Sequence, residues 1–226
     1  MKLKPELLLR AYAVGIFPMA ESRFDPDIHW IDPDLRGVLP FDSLHVPRRL
    51  RRKIRKRPYE IRVNTAFAEV IRLCATPAPD RRDTWINPTI ESLYGELHCM
   101  GFAHSVEAWH GDLLAGGLYG VSLGAAFFGE SMFSRMTDAS KVALVHLVYL
   151  LKQGGFRLLD TQFQTPHLKQ FGVIEVPREV YRQQLAQAIH DSAQFPKETS
   201  DAGVEAFLES LTAEWAGDDG VPAERP

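Results

Sequence analysis

Cysteine is almost absent from this chain: Cys74 and Cys99 are its only two among 226 residues. A disulfide-stapled secreted fold is thereby excluded. Neither Cys-x-x-Cys nor zinc-finger spacing occurs, so reduced thiols in a reducing cytoplasm are expected. No apolar run approaches the ~18–20 residues that a membrane span requires. The first ten residues place Glu6 and Arg10 where a signal peptide needs an uninterrupted apolar stretch. None of the eight histidines stands in an i, i+4 pair or a His-x-Glu/Cys-x-x-Cys pattern, so no metal is expected. There is no Gly-x-Ser-x-Gly elbow; Gly129-Glu-Ser131 lacks the second glycine, and Ser131 is a poor nucleophile. What remains is an ordinary globular composition, 45% hydrophobic and 24% charged.

The overall charge of −3 conceals an asymmetry. Residues 48–57 hold eight cations in ten positions and no acid, leaving 18 cations against 29 acids elsewhere. Such a run is either a solvated helix face or a binding surface for a polyanion. Pro47 can open a helix through Arg57 in which Leu50 and Ile54 form a narrow docking stripe. Arg48, Arg51, Arg52, Lys53, Arg55 and Lys56 are then left to face outward as candidate RNA contacts.

Periodicity and punctuation sketch the rest. A short helix starts at Pro5 and ends near Gly15, and residues 21–46 read as irregular with short strands. Asn64 is expected to cap a helix carrying Phe67, Val70, Ile71 and Cys74, followed by a Pro-rich loop over Thr76–Asp80. Asn87-Pro88 opens another helix, through Tyr94 to Gly101. Strands at His104–Trp109, Leu113–Val121 and Ala125–Glu130 form an antiparallel meander, in which glycines 116, 117 and 120 allow bulges or close packing. An apolar helix over Asp138–Gln153 and a strand over Phe156–Asp160 complete a βαβ unit. A further helix starts at Pro177. The tail from Lys197 carries eight acids and two cations. Within it Val204, Phe207, Leu208, Leu211 and Trp215 suggest one or two docked turns, and disorder is expected for the last ten residues. The expected parts are a small N-terminal domain (1–62), a catalytic domain (63–196) and an acidic tail (197–226).

Parallel strands joined by a crossover end on one edge of a sheet, where α/β ligand sites gather. Glu130 closes the first and Asp160 the second, with Gln162 just beyond, so two carboxylates and a carboxamide can converge. Alternatively, Glu130 pairs with Arg135 or Lys141, and Asp160 caps a turn. Meander plus βαβ is the core layout of GNAT-type acyltransferases, giving an α+β fold class. A CoA enzyme of that class needs a glycine-rich turn before the crossover helix to hold a pyrophosphate. Residues 131–141 contain no glycine, so CoA is disfavoured.

Several stretches, in order, resemble the leucyl/phenylalanyl-tRNA–protein transferases: Ala13-Val-Gly-Ile-Phe-Pro18, Trp30-Ile-Asp-Pro33 with Arg36, Ser43-Leu-His45, Thr84-Trp-Ile86, His104-Ser-Val-Glu107 with Trp109, and Gly116-Gly-Leu-Tyr-Gly120. The most specific is Phe127-Phe-Gly-Glu-Ser-Met-Phe-Ser134, followed by Ala139-Ser-Lys141 and Asp160-Thr-Gln162. Met19 and Gln170-Phe171 depart from the family's usual Trp and Ser-Leu, which bears on local pocket shape. The resemblance implies transfer of Leu or Phe, with Met a further donor, from aminoacyl-tRNA to proteins starting with Arg or Lys, marking them for N-end rule degradation. It implies a cytoplasmic monomer with no cofactor and no membrane partner. Gln162 would touch the attacking amine, Asp160 would polarise or orient it, and Glu130 would orient the aminoacyl group or ribose.

Selecting Leu and Phe requires an apolar pocket, for which Trp85, Tyr94, Leu118, Phe127, Met132, Leu147, Leu151 and Leu159 are candidates. Trp30 and Trp85 could stack on the terminal adenine. Two other readings fit the residues: a GNAT-like N-acyltransferase with another acyl donor, and a non-catalytic RNA-binding module.

Overall fold

The computed structural model describes residues 3–77 and 83–216, with side chains through residue 211. The amino-terminal segment forms α1 (Pro5–Ala13), β1 (Phe17–Met19), β2 (His29–Ile31) and β3 (Leu35–Val38), then a 3-10 turn and the basic helix α2 (Arg48–Arg55). Next come β4 (Glu60–Val63), α3 (Phe67–Cys74) and α4 (Pro88–Cys99), before β5 (Ala103–His110), β6 (Leu113–Leu123) and β7 (Ala126–Ser134). Helix α5 (Ala139–Gln153) leads to β8 (Leu158–Gln162), the short α6 (Pro166–Lys169), β9 (Ile174–Pro177), α7 (Arg178–His190) and α8 (Asp201–Ala216).

One seven-stranded sheet, in the order β4-β5-β6-β7-β8-β3-β9, organises this mixed α+β fold. All its neighbours are antiparallel except β7 and β8, which run parallel and are joined through α5. Side chains alternate across the sheet, so adjacent residues serve different cores. Phe127, Leu118 and Leu159 pack with α2, α5 and α8, whereas Phe128, Tyr119 and Leu158 pack with α1, α3, α4 and α7. A Cβ at Gly116 would lie 2.6 Å from that of Ala139, so glycine lets α5 settle directly on β6. Gly120 sits at a bulge in the β6–β7 pairing.

Several elements differ from the sequence reading. Asn64 does not cap α3: it adopts a left-handed φ of 59°, and its Oδ1 accepts from the Ser105 amide. Ala66 is the N-cap residue, with no side-chain cap, and the buried Glu107 carboxylate holds the chain just before the helix, accepting from the amides of Thr65 and Ala66 at 2.9 and 2.8 Å. Strand β3, one of the short strands expected within residues 21–46, and β9, which the reading does not include, extend the sheet beyond β8. Helix α8 is longer than one or two turns because Val204, Phe207, Leu208 and Leu211 all bury against α5 and its surroundings. Trp215 and the last ten residues lie outside the described side chains, as does much of the Pro-rich loop. Among the described residues no helix is long and apolar enough to cross a membrane.

Candidate active site

Strand β7 outruns its parallel neighbour. The β7–β8 pairing ends at Phe128↔Asp160, while β7 continues against β6 as far as Ser134. Glu130 therefore lies mid-strand, where β7 has lost its β8 partner, and not at the strand end expected from sequence. A recess of about 470 Å3 opens there. Its walls include Leu118, Met132, Leu147 and Leu159, with Phe17, Met19 and Trp85 from earlier in the chain and Phe163, His167 and Leu168 from beyond β8. Glu130 and Gln162 are among its polar residues, beside Ser131, Thr161 and Thr165.

Glu130 is held by two phenols. Tyr12 Oη lies 2.7 Å from Oε1 and Tyr94 Oη 2.9 Å from Oε2, and the two hydroxyls also contact each other, so two phenolic protons are shared among three contacts. Burial pushes the carboxyl up to about 7, against the pull of both tyrosines. One face of Glu130 remains open to the recess. Burial, reinforced by the neighbouring carboxylate, raises both phenols well above their ordinary range, so they stay protonated as donors.

Asp160 occupies the layer beneath. It is fully buried and paired with Arg36, whose Nε and Nη2 reach its two oxygens at 2.9 and 2.7 Å. Tyr181 donates to Oδ2 at 2.6 Å, and the Gln162 amide to Oδ1 at 2.8 Å. The Arg36 guanidinium lies 4.5 Å from the ring centres of both Phe17 and Tyr181, and its Nη1 donates to the Gly15 carbonyl. Burial works against its charge, but Asp160 outweighs that and leaves Arg36 more firmly protonated than usual. The Asp160–Gln162 bond closes a turn in which Gln162 takes a left-handed φ of 57°. Such a backbone persists in a non-glycine residue only when its surroundings enforce it. This turn brings Gln162 Nε2 to 3.4 Å from Glu130 Oε1.

Glu130, Asp160 and Gln162 thus form one connected network. Asp160 closes a turn, as one sequence reading has it, and is joined through Gln162 to Glu130. Glu130 pairs with neither Arg135 nor Lys141. Of the apolar candidates, Trp85, Leu118, Met132, Leu147 and Leu159 line the recess. Phe127 and Leu151 do not: both are fully buried in the core, where Phe127 packs against Phe156 and Phe195. Tyr94 lies behind Glu130 and not in the wall. Trp30 is 39% exposed on β2, opposite Pro18, away from the recess lining. The sequence reading gives Arg36, Tyr12 and Tyr181 no role; a buried tyrosine's need for a hydrogen-bond partner is the signal it does not use for two of them. Among the described residues no group of three or more His, Cys, Asp or Glu side chains could hold a metal.

Two family models match the chain: the leucyl/phenylalanyl-tRNA protein transferase model over residues 38–186, and that family's N-terminal domain over residues 1–34. A leucyl/phenylalanyl-tRNA–protein transferase from Rhodospirillum rubrum is 53% identical over 201 residues, spanning 89% of this chain and 94% of the relative. Another from Cereibacter sphaeroides is 58% identical over 193 residues, 85% of this chain and 88% of the relative. The chain belongs to the leucyl/phenylalanyl-tRNA–protein transferase family. It is thus an aminoacyltransferase, and the network spans both family models: Tyr12 falls in the N-terminal domain model, and Glu130, Asp160 and Gln162 fall in the transferase model. Arg36 sits in the short join between the two, and α8 lies beyond both.

The basic helix of this transferase divides by role. Arg48, Arg52, Arg55 and Lys56 are exposed and make no ion pair among the described residues. Arg51 turns inward, donating to the carbonyls of Val46 and Leu208, the latter in α8. Lys53 reaches the Thr137 carbonyl at 2.7 Å and Asp138 at 3.0 Å.

Proposed function

We propose that this protein transfers leucine or phenylalanine from the 3′ end of an aminoacyl-tRNA to the α-amine of proteins that begin with Arg or Lys, marking them for N-end rule degradation. Family membership supplies the reaction class. At the site, the observation that carries the reading is an apolar recess whose floor presents a carboxyl and a carboxamide side by side. In this reading the leucyl or phenylalanyl side chain fills the space between Leu118, Met132, Leu147 and Leu159. The acceptor amine approaches Gln162 and attacks the ester carbonyl. The C–N bond forms, the bond to the ribose oxygen breaks, the amine gives up a proton and the ribose leaves as a hydroxyl.

Asp160 is a positioning residue in this scheme: its oxygens are taken by Arg36, Tyr181 and the Gln162 amide, and it acts by fixing Gln162. Glu130 orients the aminoacyl group or the ribose. Trp85 is the indole placed to meet the terminal adenine. The exposed cations of α2 grip the acceptor-stem phosphates, which gives sequence-tolerant and salt-sensitive binding. An activated ester needs no ATP, and we assign neither CoA nor a metal to the reaction. The meander with the β7–α5–β8 crossover supports a GNAT-like ancestry of the core. We place the enzyme in the cytoplasm as a monomer.

The test is transfer of labelled leucine from charged tRNA to an Arg-initiated peptide, without ATP, CoA or added metal, beside an otherwise identical Met-initiated peptide. Leucine should appear on the first and not the second. Absence of any transfer would overturn the proposal.

A further inference from the structure

A second cavity, of about 650 Å3, adjoins the recess and shares Met132 and His167 with it as walls. Its far side is the segment between β7 and α5, including Arg135, together with Lys141 on the first turn of α5. Its volume falls in the ~300–1,000 Å3 range of small-ligand sites, yet nothing assigned so far occupies it. The charge at its edge is unbalanced. Asp138, the one carboxylate of this segment, is shared by Lys53 at 3.0 Å and Lys141 at 3.4 Å. Arg135 is exposed and makes no ion pair among the described residues. The segment is also tied to the basic helix region, because the Thr137 carbonyl accepts from Lys53 and from Tyr59 at 2.7 and 2.8 Å. Recess, second cavity and α2 therefore follow one another along a single surface.

A polyanion whose aminoacylated end lies in the recess and whose duplex lies on α2 must cross this cavity between them. We infer that the second cavity holds the single-stranded nucleotides preceding the terminal adenosine of the donor tRNA, with Arg135 and Lys141 meeting their phosphodiesters. This assignment rests on the proposed function. Two separate side-chain cations suit single phosphodiesters spaced along a strand. A pyrophosphate would call for a glycine-rich backbone cradle, which residues 131–141 do not offer. Sulfur and ring surfaces of Met132 and Phe133 in the same cavity offer apolar contact to the intervening riboses and bases.

The experiment uses the full chain, an Arg-initiated peptide and three donors: phenylalanyl-adenosine, phenylalanyl-cytidylyl-cytidylyl-adenosine and charged tRNA. Two charge-assisted contacts should make kcat/KM for the trinucleotide about 10–100-fold higher than for the adenosine donor. Only the trinucleotide should then show the salt dependence of two single-strand phosphates, a log–log slope of about −1.4. Arg135→Ala with Lys141→Met should bring the ratio of the two donors close to one, and Arg135→Lys with Lys141→Arg should restore it. Equal use of the two small donors by the wild type, or an undiminished ratio in the double variant, would overturn the assignment while leaving the transfer reaction standing. Inactivity with all three donors would instead overturn the proposed function, and this assignment with it.

Discussion

The Arg36–Asp160 pair permits a clean separation of stability from function. Both side chains are essentially inaccessible, at 1% and 0% exposure, and every strong acceptor direction of the carboxylate is occupied. Arg36→Met would leave that carboxylate buried without its counter-ion, a loss of about 3–5 kcal/mol. With a urea m-value of roughly 3 kcal/mol per M, the unfolding midpoint should fall by roughly 1–1.7 M. Adding Asp160→Met removes the stranded charge along with its partner. Replacing a buried pair by apolar side chains is often neutral, so most of the lost stability should return. A residue of about 1–2 kcal/mol should persist, because the Gly15 carbonyl and the Tyr181 hydroxyl have lost partners. Transfer should not return. Without the Asp160 oxygen the Gln162 amide loses the bond that holds its left-handed turn, and a displacement of about 1 Å at a reacting group can cost ~10²-fold in rate. Urea unfolding followed by tryptophan fluorescence, beside leucine transfer to an Arg-initiated peptide, reads both quantities. A double variant as unstable as the single one would show that the stranded charge is not the origin of the loss. A stable double variant with wild-type turnover would remove Asp160 from the positioning of Gln162.

The remaining predictions concern the carboxyl and the basic helix. The folded Glu130 carboxyl, at about 7, holds a proton that the unfolded chain releases near 4.5, so its contribution to stability is present below that lower value and is lost as pH rises through about 7. Glu130→Gln should flatten this part of the stability–pH curve, as thermal unfolding between pH 4.5 and 8 would reveal. Tyr12→Phe removes a hydrogen bond that lowers the Glu130 value, so the inflection should move to higher pH in the same measurement. On α2, Arg48→Ala with Arg52→Ala and Arg55→Ala should raise the KM for charged tRNA and reduce the salt slope by about 3. Arg51→Ala should instead lower the melting temperature, since its side chain fastens α2 to α8. Equal effects of Arg51 and Arg52 on KM alone would contradict this division.

Local signals made much of this fold legible. The i, i+4 pair of Leu50 and Ile54 fixed the buried side of α2, and Asn87-Pro88 marked the start of α4, where the Asn87 side chain accepts from the Ile90 amide at 2.8 Å. The polar network was legible in its members but not in its wiring. Glu130 lies 118 residues from Tyr12, and Asp160 lies 124 from Arg36, separations over which no sequence period operates. The same limit applies to β3: short strands are expected in its proline-rich stretch, but its place between β8 and β9 is set by partners far along the chain. Asn64 shows a local rule overridden from afar. Its side chain can cap, but Glu107 on β5 fixes the Thr65 and Ala66 amides just before α3, and Asn64 instead binds the neighbouring strand. Phe127 and Leu151 illustrate the ambiguity of apolar residues, for which core and pocket look alike until the faces of the sheet are known.

The electrostatics of the network bear on how amine attack proceeds without a strong base. Arg36 pairs with Asp160, and the charge of Glu130 at the recess varies near neutrality. A protein α-amine has a reference pKa of about 7.7–8.0. Glu130, at about 7, sits within roughly one unit of it, so moving a proton from an α-ammonium to this carboxylate costs only about 1.4 kcal/mol on reference values. A carboxylate at the ordinary 4.5 would make the same transfer about 4.5 kcal/mol uphill. Burial against two protonated tyrosines therefore brings the proton affinity of the recess floor close to that of its acceptor. The ionised form can draw in an ammonium, and the neutral form does not strand it as a salt bridge too stable to react. The raised carboxyl thus serves the proposed reaction only while Tyr12 and Tyr94 both remain donors, because losing either bond would push Glu130 further up and empty its ionised form at neutral pH.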